Sequence, residues 1–414
     1  MAPYDLDQMK ARMVLRPLDL SLDKVGDEAQ PPALTVSEGQ KYPIEERLDI
    51  VTKNSVYPVI IGQDVLSRIG MYMVDLLHYE PSRHNVLILT DEKVAPYYVS
   101  PVEESLQKAG FRFLTVVRPA GEQEKRLAAV EEIISHMIRY GLDRSGVLLA
   151  LGGGVIGDLG GFIAATYMRG IDFIQIPTTV LAHDSSVGGK VAVNHPLGKN
   201  MIGAFYPPRA VFYDMLTFRT LPSREICAGY AELIKHALIS GERFYTELIR
   251  SREVLLRLCD QRVEEADWPI LTRLLSRGIA VKKAVVERDE RETSGEREAL
   301  NIGHTVAHAL ELTLGYGTLL HGEAVAIGLV VETELALRLG LADASFLAQL
   351  ETDLTSLHLP TKVPPDVTTE ALVQAMLADK KNRHASIHFA LLRAPGRVLR
   401  VGLAPDDVRT LLEK

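Results

Sequence analysis

The sequence predicts an α/β N-terminal domain built on a mainly parallel sheet, plus a mostly α-helical C-terminal domain. Short β-rich apolar runs at residues 57–61, 86–90, 113–117, 147–151 and 173–176 alternate with helical stretches such as 94–109 and 125–140. Strands alternating with helices build parallel sheets. The run Val147-Leu148-Leu149-Ala150-Leu151 has no polar interruption, as a strand buried on both faces requires. Beyond Leu221-Pro222 the apolar spacing turns helical, through 225–249, 253–258, 264–289, 299–314, 322–339 and 343–357. A late strand pair, 387–392 and 398–401, brackets a Pro395-Gly396 turn.

These textures divide the chain into a polar extension at 1–47, the α/β domain at 48–221 and the helical domain at 222–414. The stretch 1–45 carries Pro31-Pro32 and scattered acids with no sustained period, so it is expected to be partly disordered, with order beginning near Leu48. No internal repeat interrupts the scheme.

The 414 residues, 47% hydrophobic and 24% charged, suffice for about two globular cores. A net charge of −8 argues against nucleic acid or an anionic membrane as the main partner. An acidic ligand would therefore need a local cluster of cations. The two cysteines, Cys227 and Cys259, exclude a disulfide scaffold and lack a metal-binding spacing. No apolar run reaches the ~18 residues of a membrane span. The N-terminus has no hydrophobic signal core, and Asp5, Asp7, Asp19 and Asp23 argue against a transit peptide. The expected location is the cytoplasm.

Three constellations carry chemistry. In the first, Gly152-Gly153-Gly154-Val155-Ile156-Gly157-Asp158 follows the buried strand and opens a helix. Glycines let backbone approach a diphosphate, and a helix N-terminus offers unpaired N–H groups. The run departs from the Gly-x-Gly-x-x-Gly fingerprint, and a plain tight turn also favours glycine. Thr178-Thr179, Thr90-Asp91 and the stretch 121–125 add polar groups at other strand ends. Ligands of open α/β sheets bind along that edge, where an acid can hold ribose hydroxyls. Together these features point to a dinucleotide.

The second constellation is of metal-ligand type. His304 and His308 stand one helical turn apart, His321-Gly322-Glu323 follows, and Glu232, Lys235 and His236 share a face of another helix. Two imidazoles, a carboxylate and an open position are the usual set of a catalytic zinc. A single histidine is more often a satisfied structural residue, but three such clusters in one domain favour a metal. No glutamate follows His304 directly, so a zinc-protease arrangement is absent. In the third constellation, the loop-like stretches 184–190 and 196–200 are glycine-punctuated and contain Lys190 and Lys199, with Arg169 upstream. Lys282 and Arg297 lie on the helical side. Such cations suit a phosphate and a carboxylate, although solvated surface charge is the common fate of Lys and Arg.

Together the stretches GGGVIGDLGGFIAATYMRGIDFIQIPTT, DSSVGGKVAVNHPLGKNMIGAFYPP, AGYAELIKHALIS, RDERE, ALNIGHTVAHALE and LHGEAVAIG resemble the sugar phosphate cyclases, and within them the 3-dehydroquinate synthases. The resemblance runs over about residues 48–414 and leaves the N-terminal extension outside. It implies a dehydroquinate synthase-like fold: an NAD-binding α/β domain and a helical domain that binds metal and substrate. Asp91, Glu122, Lys125, Gly154, Val155, Ile156, Gly157, Asp158, Thr178, Thr179, Lys190 and Lys199 would face NAD. Glu232, His304 and His321 would hold Zn2+ or Co2+. Arg169, Asp184, Lys190, Asn200, Lys235, Lys282, Arg297, Asn301 and His308 would surround a sugar acid phosphate, together with Lys380 or Lys381.

The implied substrate is 3-deoxy-D-arabino-heptulosonate 7-phosphate, at a step of the shikimate pathway towards chorismate and the aromatic amino acids. The implied reaction is transient oxidation with NAD, phosphate elimination, re-reduction, ring opening and intramolecular aldol closure. Lys282, Arg297 and Asn301 keep the pattern expected for a carboxylate-bearing substrate, which argues against sedoheptulose 7-phosphate. An amino-dehydroquinate synthase of an antibiotic pathway and a metal-dependent NAD polyol dehydrogenase stay open as alternatives. The family suggests a homodimer. Two departures stand out: 180–184 is one residue shorter than the commoner family form, and 291–297 is one longer, leaving the role of Glu292 undefined.

Overall fold

The computed structural model describes residues 9–10, 12–18, 20, 22, 25, 35–36, 40–41, 44–378 and 386–413. The chain divides into two compact units: Gly26–Pro222 with Val263–Arg291, and Met1–Val25 with Ser223–Arg262 and Glu292–Lys414.

The first unit is built on a seven-stranded sheet. Its strands are β1 (Ile44–Val51), β2 (Val56–Gly62), β3 (Val86–Asp91), β4 (Phe113–Arg118), β5 (Val147–Gly152) and β6 (Asp172–Pro177). A two-stranded hairpin follows, β7 (Lys190–His195) and β8 (Gly198–Phe205), before the chain returns to the sheet as β9 (Ala210–Asp214). The sheet order is β1-β2-β9-β6-β5-β3-β4, and every pairing is parallel except that of edge strand β1 with β2. The side chains of β5 explain why the run tolerates no polar residue. Val147, Leu149 and Leu151 enter one core with Ile69, Val102 and Leu106, whereas Leu148 and Ala150 enter another with Leu159 and Ile163. Period-2 alternation thus feeds two apolar layers. Helices α1 (Ala95–Lys108), α2 (Leu127–Tyr140) and α3 (Gly154–Thr166) connect the strands.

The second unit holds α4 (Ser223–Ser240), α5 (Glu242–Arg250) and α6 (Arg252–Cys259). The expected single helix over 225–249 is divided because Gly241 has φ 139, outside helical space. Helix α7 (Trp268–Arg288) belongs instead to the sheet unit. There the Glu287 carboxylate takes the Val51 amide at 2.6 Å and Glu290 takes the Thr52 hydroxyl at 3.1 Å. Helical periodicity does not reveal which core a helix joins. The second unit continues with α8 (His304–Leu314), α9 (His321–Arg338), α10 (Ala344–Ser356), α11 (Thr369–Ala378), the hairpin β10 (Ile387–Ala394) and β11 (Arg397–Leu403), and α12 (Pro405–Leu412).

Two expectations need correction. The segment before Leu48 is not wholly irregular: a strand at Val14–Leu18 pairs antiparallel with β11, and Leu18, Leu20 and Leu22 are buried. Order in the sheet unit likewise precedes Leu48, with β1 beginning at Ile44. The second correction concerns 196–200, read as a loop. Gly198, Lys199 and Asn200 open β8, since the turn at Pro196-Leu197 is short enough to close a hairpin. No helix among the described residues is long and apolar enough to cross a membrane.

Candidate active site

Helices α4, α8 and α9 bring together one carboxylate and two imidazoles. Glu232 is fully buried, and its Oε2 lies 2.5 Å from Lys235 Nζ, one turn further along α4. Its Oε1 lies 3.4 Å from Nε2 of His304 and 3.4 Å from Nε2 of His321. The donor atoms of the three residues all lie within 4.8 Å of one another. The His308 ring stands 5.5 Å from that of His304, centroid to centroid.

Close helix packing makes this convergence possible. A Cβ on Gly322 would stand 1.8 Å from the Ala228 carbonyl oxygen, and one on Gly328 would stand 1.9 Å from that of Gly303. Larger residues would wedge α9 away from α4 and from the start of α8. Gly303 itself has φ 75 and sets the turn that starts α8. The buried Glu332 carboxylate holds that turn, accepting the amides of Gly303 at 2.7 Å and Val306 at 3.0 Å.

Both imidazoles are oriented from behind. His304 Nδ1 donates to the Ile302 carbonyl at 3.1 Å, and His321 Nδ1 lies 3.3 Å from Glu311 Oε1. Each Nε2 is thereby turned towards Glu232. Metal-binding histidines are typically held this way. Burial, reinforced by the Lys235 ammonium, pushes His304 well below its ordinary pKa and keeps it neutral. Burial also opposes charge on His321, but hydrogen bonds to Glu232 and Glu311 outweigh it and raise the pKa to about 9. Two nitrogen donors and a carboxylate with oriented rings fit Zn2+ or Co2+.

The sheet unit presents backbone where the helical unit presents side chains. Strand β5 ends at Gly152, and α3 begins two residues later, at Gly154. A Cβ on Gly153 would lie 3.1 Å from Thr179 Cγ2, and one on Gly154 would lie 3.1 Å from Ser185 Oγ. The glycines thus leave the amides of the helix N-terminus approachable, a cradle that fits a diphosphate. Thr178 is buried, its amide bonded to the Gly152 carbonyl at 3.0 Å. Lys125 is buried and pairs with Asp158, and its Nζ also donates to Asn200 Oδ1 at 2.5 Å. Burial pushes the Asp158 carboxyl above its ordinary pKa, against the pull of Lys125. Glu122 lies 4.0 Å from Lys199 Nζ. Asp91 is used locally, its Oδ1 accepting the amides of Lys93 at 2.9 Å and Val94 at 3.1 Å.

The remaining expected residues are placed as follows. Asp184 lies on the one-turn helix Ala182–Ser185 and meets Lys282 at 3.0 Å. Lys190 is exposed at the start of β7. Arg169 is exposed with φ 71, next to Met168 at φ 50. Left-handed backbone at non-glycine residues costs roughly 1–3 kcal/mol each and tends to mark functional segments. Arg297 is buried, with its Nε 3.6 Å from Glu292 Oε1, which gives the longer 291–297 segment a local role. Asn301 closes the short helix Glu296–Asn301. Lys380 and Lys381 lie outside the described residues.

Sequence reading passed over Glu311, Glu332 and Asn194. Glu311 carried a signal, since it lies two turns beyond His304 on the same helix. Glu332 reaches its partners, and Asn194 reaches Glu122 and Lys125, only through tertiary packing, while the Asn194–Asn200 bond lies within the β7–β8 hairpin.

Comparison with known proteins agrees with this architecture. A family model described as 3-dehydroquinate synthase N-terminal matches residues 115–228, and its C-terminal counterpart matches residues 229–382. The 3-dehydroquinate synthase of Bacillus pumilus is 42% identical over 372 residues, covering 89% of this chain and 97% of that protein. That of Halalkalibacterium halodurans is 44% identical over 365 residues, covering 88% and 97%. Among solved structures, ValA, the 2-epi-5-epi-valiolone synthase of Streptomyces hygroscopicus subsp. jinggangensis with NAD+ and Zn2+ bound, superposes with a TM-score of 0.76. It is 26% identical, covering 88% of this chain and 97% of that one. The glycerol dehydrogenase of Schizosaccharomyces pombe shares the fold alone, at 16% identity and a TM-score of 0.62, over 86% of this chain and 87% of that one. With matching N- and C-terminal models and relatives above 40% identity along nearly the whole of their length, the chain belongs to the 3-dehydroquinate synthase family.

Proposed function

We propose that the chain acts as a carbon–oxygen lyase, converting 3-deoxy-D-arabino-heptulosonate 7-phosphate to 3-dehydroquinate and phosphate. The observation that carries the reading is the buried group Glu232, His304 and His321, with both rings oriented from behind, in a chain more than 40% identical to named 3-dehydroquinate synthases. The reading takes 48–221 as the nucleotide-binding region and 222–414 as the region for metal and substrate. It also takes the protein as a cytoplasmic homodimer without nucleic-acid or membrane partners, in keeping with the net charge of −8.

When bound, the metal supplies a Lewis acid for a substrate hydroxyl and NAD supplies a hydride acceptor restored within each cycle. Glu232, His304 and His321 hold the metal, while Lys235 neutralises the far oxygen of Glu232. Asp91, Glu122, Lys125, the 154–158 turn, Thr178, Thr179, Lys190 and Lys199 face the nucleotide. Arg169, Lys190 and Asn200 grip the phosphate with charge-assisted hydrogen bonds. Lys282, steadied by Asp184, and Arg297 and Asn301 are assigned to the carboxylate. His308 moves a proton at the hydroxyl being oxidised. The departing phosphate can take the neighbouring carbon-bound proton, so no strong protein base is needed there.

With metal and NAD present, the expected result is dehydroquinate and phosphate in equal amounts without rising NADH absorbance. NADH accumulating with product would instead mark a polyol dehydrogenase. Sedoheptulose 7-phosphate, which has no carboxylate, should react at least ~30-fold less efficiently, since a buried charged contact is worth roughly 2–5 kcal/mol. Comparable turnover of both sugars contradicts the assignment.

A further inference from the structure

We propose that Asn194 is a positioning residue that ties the nucleotide-side carboxylate Glu122 to the phosphate-side amide Asn200, an inference that rests on the function proposed above. Asn194 sits where the β7–β8 ladder loses register, between Val193 and His195. Such irregularities redirect side chains. Its backbone N–H donates to the Lys125 carbonyl at 2.7 Å. Its Nδ2 donates to Glu122 Oε1 at 2.8 Å, and its Oδ1 accepts the Asn200 amide at 2.9 Å.

Asn200 is held in left-handed backbone, φ 54, and its own Oδ1 takes the Lys125 ammonium. The Asn194 side chain is therefore the hub between 122–125 and 199–200, two stretches with separate assignments. The hub requires an amide, because one end must donate and the other accept. An aspartate there would keep the acceptor for Asn200 but set a carboxylate against Glu122. The two arms can thus be separated chemically.

The experiment compares wild type, Asn194→Asp, Glu122→Gln and the double variant, all loaded with metal. KM for NAD and for the heptulosonate phosphate, NAD affinity by calorimetry, Tm and metal content are read for each. Asn194→Asp should weaken NAD about tenfold, the scale of one lost hydrogen bond to a charged group, and leave the sugar phosphate KM within about twofold. Tm and metal content should hold. Adding Glu122→Gln to Asn194→Asp should restore part of the lost NAD affinity, because glutamine donates to the new carboxylate. Asn194→Ala, which removes both arms, should raise both KM values.

Wild-type constants in Asn194→Asp, or no recovery in the double variant, overturn the proposal. So does a fall in Tm of Asn194→Asp together with an equal rise in both of its KM values, the mark of a merely structural role. A wild type that binds NAD yet releases no phosphate overturns the functional reading, and calorimetry still decides the Asn194 tie.

Discussion

The two units meet their chemistry in opposite ways. In the helical unit, charged side chains are buried and fixed: Glu232 and Lys235 are at most 1% exposed, and each histidine has a partner behind it. At the sheet edge the cradle is backbone, and the polar side chains around it, such as Lys199 and Glu122, are about a quarter exposed, at 26% and 29%. The buried group gains strong electrostatics but tolerates no unpaired charge. Apart from the buried Lys125–Asp158 pair, the open edge is screened by water and salt, so contacts such as Lys199–Glu122 are individually weak. The same type of substitution should therefore have very different effects in the two places.

The largest expected effect is that of His304→Ala, which should remove bound metal and nearly all turnover. Full activity with metal retained would break the comparison at its stronger end. Arg297→Ala comes next. It should weaken the substrate by roughly 2–5 kcal/mol while NAD affinity stays unchanged, read by KM and calorimetry. Glu311→Ala removes the partner of His321 Nδ1, so metal affinity should fall about 10–100-fold, measured by chelator competition. The smallest effect should come from Lys199→Ala. Its 4.0 Å contact with Glu122 is worth at most about 1 kcal/mol of stability, and the difference from wild type should shrink further at high salt. A Lys199→Ala effect on stability as large as that of a buried charge would erase the distinction between the units.

The same contrast explains how much the sequence disclosed. Strand β5 and the glycine turn were legible because burial on both faces and close backbone approach restrict composition directly. His304 and His308 were legible because helical spacing places donors predictably, whereas His321 opens a separate helix and was assigned through the family resemblance. Helix α7 was harder, since an amphipathic pattern states that a face is buried but not which core buries it. The strand at Val14–Leu18 was missed because a five-residue edge strand interrupted by Arg16-Pro17 has too short a period to register. Its stability comes from pairing with β11, nearly four hundred residues later in the chain. Glu332 and the Asn194–Glu122 bond fall in the same class: these partners are set by the fold and leave no local pattern.

The central claim is that the buried carboxylate–histidine group serves a cyclase. It is tested most directly by following phosphate release from 3-deoxy-D-arabino-heptulosonate 7-phosphate with NAD, before and after treatment with a chelator. The account predicts release that stops on chelation, resumes when Zn2+ or Co2+ is restored, and proceeds without NADH build-up. Release that is indifferent to the chelator, or its absence from folded, metal-loaded protein, would contradict it.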